Sequence, residues 1–138
     1  MKKILFLSAL FAMSLLTNAQ RISRKKIPVL VRKSFVELYP KVTKAKWEKE
    51  NGGYEACFKL DSKKHSALFD INGNMLESEV VIDKKELSDA ILDYVKQKYP
   101  TDKIKEVSKI TNSSGIVTIE IELKGRDLLF DNEGKFIK

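Results

Sequence analysis

The sequence predicts an α+β protein: two tandem helix-plus-four-stranded antiparallel units forming one continuous sheet, with both helices on one face. Three observations carry this expectation. Residues 35–40 read Phe-Val-Glu-Leu-Tyr-Pro and residues 95–100 read Val-Lys-Gln-Lys-Tyr-Pro, so a Tyr-Pro landmark recurs 60 positions on. Leu68-Phe69-Asp70-Ile71-Asn72-Gly73 is echoed by Leu129-Phe130-Asp131-Asn132-Glu133-Gly134, 61 positions on. Between those landmarks the chain alternates apolar and polar residues, the period of a half-buried strand. Two landmarks in the same order at nearly the same spacing identify an internal repeat.

Each copy opens with a helix. In the first, Pro28 suits the first helical position because its missing N–H would have no partner there. Val31, Phe35 and Leu38 then recur at helical spacing. In the second, Leu87, Ile91, Tyr94 and Val95 do the same, and Asp83 with Glu86 has the form of a capping box. Both helices should stop before Tyr-Pro, since the residue before proline is pushed out of helical geometry. Tyr39 and Tyr99 therefore read as helix-end packing.

Strands follow. Tyr54, Ala56, Phe58 and Leu60 alternate with Glu55, Cys57 and Lys59, and Val117, Ile119, Ile121 and Leu123 alternate with Thr118, Glu120 and Glu122. His65, Ala67, Phe69 and Ile71 suggest a further strand, as do Leu128 and Phe130. Asn51-Gly52-Gly53 and Ser113-Ser114-Gly115 are turn sequences. A unit of about 60 residues buries a marginal fraction of its surface alone, so the copies should share one sheet. Its second face would then be open to solvent, as antiparallel sheets permit. Alternation puts Glu55, Cys57, Lys59, Ser66, Leu68, Glu120, Glu122 and Leu129 on that open face, the expected partner-binding surface.

The N-terminus decides the compartment. Met1-Lys2-Lys3, an apolar run from Ile4 to Leu16, and Thr17-Asn18-Ala19 form a secretory signal peptide with cleavage expected after Ala19. The run is too short for a spanning helix. The expected organisation is therefore 1–19 signal peptide, 20–26 basic segment, 27–82 first repeat and 83–138 second repeat. Lys2 and Lys3 leave with the signal, so the net charge falls from +7 to +5. No later apolar stretch is long enough to span a bilayer, so no transmembrane segment is expected in the exported chain.

Several chemistries lack their parts. Cys57 is the only cysteine, which excludes an intrachain disulfide. A catalytic thiol needs a base to raise its thiolate fraction, and nothing in the sequence places His65, the one histidine, beside it. Glu120 and Glu122 share a strand face but lack a visible pocket to perturb them. The turns at Asp70–Asn74 and Asp131–Lys135 lack the alternating acids and closing Glu of a calcium loop. A lone His makes no zinc site. Basic residues at Arg21, Arg24, Lys25, Lys26, Lys41, Lys44, Lys46 and Lys49 are interrupted by Glu48 and Glu50. With export as well, this argues against nucleic acid and for a solvated basic surface. Trp47 has Val107 as its repeat counterpart, which favours a core position, although a single Trp near a sheet edge would also suit an interface.

Tyr-Pro after a helix, Lys46-Trp47-Glu48, Tyr54-Glu55 and Leu68-Phe69-Asp70 to Gly73, in tandem, resemble the PepSY-like proteins. These are small exported bacterial proteins described as resembling the beta-lactamase-inhibitor protein. The resemblance spans Ile27 to the end and implies tandem helix-plus-sheet units. It implies no activity and no cofactor, and no inhibitor contact residue carries over. The expectation is a non-enzymatic periplasmic or secreted module engaging an unidentified envelope protein or peptide through the open sheet face, inhibitor-like action being one form this could take by fold analogy alone. The alternative is a sensor or carrier of a small envelope ligand, held between sheet and helices.

Overall fold

The computed structural model describes residues 20–138, so the expected export signal and its cleavage site lie outside the described residues. Eight strands form one antiparallel sheet in simple chain order. They are β1 (Gln20–Ile22), β2 (Ala45–Glu50), β3 (Gly53–Leu60), β4 (Lys63–Phe69), β5 (Met75–Val81), β6 (Glu106–Asn112), β7 (Val117–Leu123) and β8 (Arg126–Asp131). Helix α1 (Val29–Leu38) lies between β1 and β2, and α2 (Asp89–Lys98) between β5 and β6.

The repeat reaches back before the helices. Ser23 caps a 3-10 turn over Arg24–Lys26, as Asp83 caps one over Lys84–Glu86. The Asp83–Glu86 capping box is real, but it closes this short turn, while Ser88 caps α2. Pro28 stands at the N-cap position without a side-chain capping bond, one residue ahead of the expected first helical position, which Val29 fills. Both helices end on a tyrosine of nearly identical geometry, Tyr39 at φ −128° and Tyr99 at φ −132°. β5 pairs with β6 just as β1 pairs with β2. One strand thus closes the first copy and opens the second, which is how two small units come to share a sheet.

The copies are not equal in length. The first has four strands after its helix. The second has three, and its fourth shrinks to a single bridge between Phe130 and Phe136.

The repeated Asp-x-x-Gly segments are turns that dock on helix starts. The Asp70 carboxylate accepts from the backbone N–H groups of Asn72 and Asn74, each at 2.9 Å. Asp131 does the same with Glu133 and Lys135. Gly73, at φ +84°, lies so close to α1 that a Cβ there would meet the Leu30 carbonyl oxygen at 2.7 Å. Glycine is required on both counts.

Two apolar cores result. The first joins Ile27, Val31 and Phe35 to Trp47, Tyr54, Ala56, Phe58, Ala67 and Phe69. The second joins Leu87, Ile91 and Val95 to Val107, Ile121, Leu123, Leu128 and Phe130. Trp47 is core: it is 4 % exposed and packs edge-on against Phe35, with ring centroids 5.1 Å apart. Leu38 departs from the expected stripe and is half exposed, because Tyr39 instead completes the packing. The row Phe58–His65–Val80–Lys109–Ile119–Phe130 runs straight across six strands, so sheet residues of both cores occupy one face. This is the core face.

Candidate functional site

Residues one step out of phase with that row point to the opposite face. One row there reads Arg21–Glu48–Glu55–Leu68–Glu77–Asn112, and the next Lys46–Cys57–Ser66–Glu79–Ile110–Thr118–Asp131. A third reads Val81–Ser108–Glu120–Leu129, and a fourth Glu106–Glu122–Asp127. With Glu50, Lys59 and Lys64, the strands place ten carboxylates and four cations on this face, a formal net charge of −6 when every carboxylate is ionised. The chain from Gln20 onward carries +5, so the remaining surface carries +11. Charge is segregated, with the sign of the sheet face opposite to that of the whole.

These carboxylates are not ordinary solvated ones. Glu55 is only 4 % exposed, and its Oε1 has no hydrogen-bond partner. One oxygen each of Glu79 and Glu120 is likewise buried and unpartnered. Burial pushes the Glu55 carboxyl up to about 7, helped by the neighbouring Glu50, Glu48 and Glu79 charges and opposed by its hydrogen bond to Ser66. Burial and Glu79 take Glu77 to about 7. Burial raises Glu79 too, with the Ser108 hydroxyl opposing. Glu120 reaches about 8, through burial first and then the charges of Glu79, Asp127, Glu77 and Glu122. Cations meet only the margin: Lys64 reaches Glu106 at 2.9 Å and Lys105 reaches Glu122 at 3.6 Å. Among the described residues no cation forms an ion pair with Glu55, Glu77, Glu79 or Glu120. Buried carboxylates without counter-ions resist ionisation.

The same surroundings disable the thiol. Burial, then the Glu55 charge, pushes Cys57 up to about 12, so it stays a neutral, weakly nucleophilic thiol. His65 cannot serve it, because His65 lies on the core face, stacked on Phe58 with ring centroids 5.5 Å apart. Among the described residues no group of three His, Cys, Asp or Glu is arranged to hold a metal ion.

Comparison with known proteins places this geometry. The family model described as "Putative beta-lactamase-inhibitor-like, PepSY-like" matches residues 15–77 and again 52–138. The chain belongs to the PepSY-like family. No curated protein matches it. Three solved structures from Bacteroides share its fold. One is similar at 14 % identity and TM-score 0.73, covering 80 % of this chain and 86 % of that one; it comes from Bacteroides eggerthii and is described as a putative periplasmic protein. Another, a DUF2874 family protein from Bacteroides ovatus, is 18 % identical with TM-score 0.71, covering 80 % and 84 %. A BLIP-like protein from Bacteroides fragilis is 22 % identical with TM-score 0.60, covering 79 % and 82 %. Among the described residues of this PepSY-like chain, no helix is long and apolar enough to cross a membrane.

The eight residues expected on the open face all occupy the acidic face. Glu55 and Leu129 are buried there, Cys57, Ser66, Leu68, Glu120 and Glu122 are half-buried, and Lys59 is exposed at one end. Register sets Glu55 opposite Leu68, Cys57 opposite Ser66 and Glu120 opposite Leu129. It does not bring the two groups into contact, because β5 and β6 stand between them. Those intervening strands hold what sequence reasoning missed in this PepSY-like protein: Glu77 and Glu79, with Ser108 and Ile110. The alternation of Glu77, Ser78, Glu79 and Val80 was the available signal.

Proposed function

We propose that this PepSY-like protein is a non-enzymatic module of the bacterial envelope that engages a cationic protein or peptide segment through the acidic sheet face. The observation carrying this reading is the buried, unpartnered carboxylate oxygen on each of Glu55, Glu79 and Glu120, with Glu77 half-buried beside them, on a face whose ion pairs stay at its margin. A partner's Lys or Arg side chains would supply the missing counter-charge, while the half-buried Leu68 offers apolar contact beside the acids. Both helices are taken to lie on the core face, leaving the acidic face open. The shared row from Phe58 to Phe130 supports this, since each end belongs to a core that includes one helix. Export through cleavage after Ala19 and repeats over 27–82 and 83–138 belong to the same reading. The periplasmic description of the Bacteroides eggerthii relative supports the compartment.

The test is calorimetric titration with an alternating Lys-Leu octapeptide at pH 8, against a Glu-Leu octapeptide. The Lys-Leu peptide should bind saturably, the Glu-Leu peptide should not, and Glu77→Gln with Glu120→Gln should weaken binding by about tenfold or more, roughly 1.4 kcal/mol. Equal binding by the double variant would remove the acidic face from the interaction.

A further inference from the structure

A second feature lies in the first copy, between α1 and the start of β2. A cavity of about 250 Å³ is lined by Arg24, Arg32 and Lys44 at its polar side, and by Phe35, Val36, Val42 and Trp47 at its apolar side. Its volume falls just under the roughly 300 to 1,000 Å³ typical of pockets for drug-sized ligands. Arg32 Nε is buried and donates to no protein acceptor. Among the described residues no carboxylate forms an ion pair with Arg24, Arg32 or Lys44. An unsatisfied guanidinium N–H beside two further cations calls for an oxyanion, which Arg recognises with its planar fork.

The second copy shows that the fold does not need this arrangement. Sixty positions on, Arg32 becomes Leu92, Lys44 becomes Ile104 and Trp47 becomes Val107. Ile104 and Val107 there pack into the second core. Arg24 keeps a basic counterpart in Lys84, but where the second copy has Leu92 and Ile104 the first has Arg32 and Lys44 beside an aromatic-floored cavity. Scaffold needs would be expected to act on both copies alike, so the difference points to a ligand.

We propose that this cavity binds a small amphipathic carboxylate. The anionic head would sit against Arg32, Arg24 and Lys44, and a short alkyl or aryl body against Phe35, Val42 and Trp47. The site is separate from the acidic sheet face and does not depend on the reading given for it. Trp47 is the only tryptophan in the chain and lines the cavity, so its fluorescence reports occupancy directly.

The experiment titrates the purified protein with octanoate, octan-1-ol and inorganic sulfate while recording Trp47 emission. Octanoate should shift the emission saturably. Octan-1-ol, which lacks the charge, should bind at least about tenfold more weakly, and sulfate, which lacks the apolar body, should fail to displace octanoate at equal concentration. Arg32→Gln should weaken octanoate about tenfold or more while leaving the urea unfolding midpoint within the range of the parent protein. Should that variant unfold, Lys44→Gln, at an exposed position, carries the test and should weaken octanoate several-fold. No saturable change with octanoate, equal binding of octan-1-ol, displacement by sulfate, or unchanged affinity in a folded Arg32→Gln protein would each overturn the proposal.

Discussion

The two faces of this sheet bury side chains of opposite chemistry. On the core face, Phe69, Ile121 and Phe130 are fully enclosed among other apolar groups, where burial itself stabilises the fold. On the acidic face, Glu55 and Ser108 are almost as inaccessible, and Glu79 and Glu120 each bury a carboxylate oxygen that finds no donor. Burial there costs free energy, because a carboxylate loses water without gaining a counter-ion. One face is therefore optimised for folding, while the other carries a cost that folding does not require. A face of that kind is intelligible when its complement arrives from another molecule.

Substitutions on the two faces should differ in both size and sign. The largest effect belongs to the core face: Phe69→Ala should cost roughly 3 to 5 kcal/mol, the usual range for emptying a buried aromatic site, seen as a lower denaturant midpoint. On the acidic face the sign should reverse. Glu120→Gln should stabilise the protein by about 1 to 3 kcal/mol at pH 8 and have little effect near pH 4.5. The Glu120 carboxyl is raised to about 8 in the fold, above its unfolded value. Its contribution to stability is thus fully present below the unfolded value and is lost as pH rises through 8. A glutamine has no such loss, so the gap between variant and parent should widen across that window in urea unfolding curves. Smallest of all, Lys64→Gln removes a margin pair whose lysine is 68 % exposed, and should change stability by less than about 1 kcal/mol. A larger loss would mean that the margin, and not the core, holds the acidic face together.

Much of the scaffold was legible from the sequence, and the reason is periodicity. Tyr-Pro and Asp-x-x-Gly recur because each copy needs a helix stop and a turn that fits against its helix, as Gly73 fits against Leu30. Alternation along Tyr54–Leu60 and Val117–Leu123 correctly sorted residues between faces. Leu38 misled because helical spacing cannot tell whether the last turn still touches the sheet, and Tyr39 took that place. The role of β5 as a shared strand was invisible, since pairing between copies is a long-range property that no local pattern encodes. For the same reason no pocket was visible around Glu120, and Glu79 drew no attention. Glu55, Glu79 and Glu120 lie 24 and 41 residues apart in sequence, and only the register through β4, β5 and β6 brings their charges to bear on one another. The α1–β2 cavity had no sequence signature beyond the replacement of Leu92, Ile104 and Val107 by Arg32, Lys44 and Trp47 in the first copy.

The acidic face makes a demand that folding alone would not. Fold stability should fall as its carboxylates ionise, yet attraction for a cationic partner should grow over the same range. The decisive measurement is the affinity of the Lys-Leu octapeptide at a series of pH values from 5.5 to 8.5, at constant ionic strength. Burial raises the carboxyls of Glu55 and Glu77 to about 7 and that of Glu120 to about 8. Binding should therefore tighten by about tenfold or more over that window, with protons released as the peptide docks. Affinity that stays flat, or weakens as the pH rises, would contradict an acidic face built to receive a cationic partner.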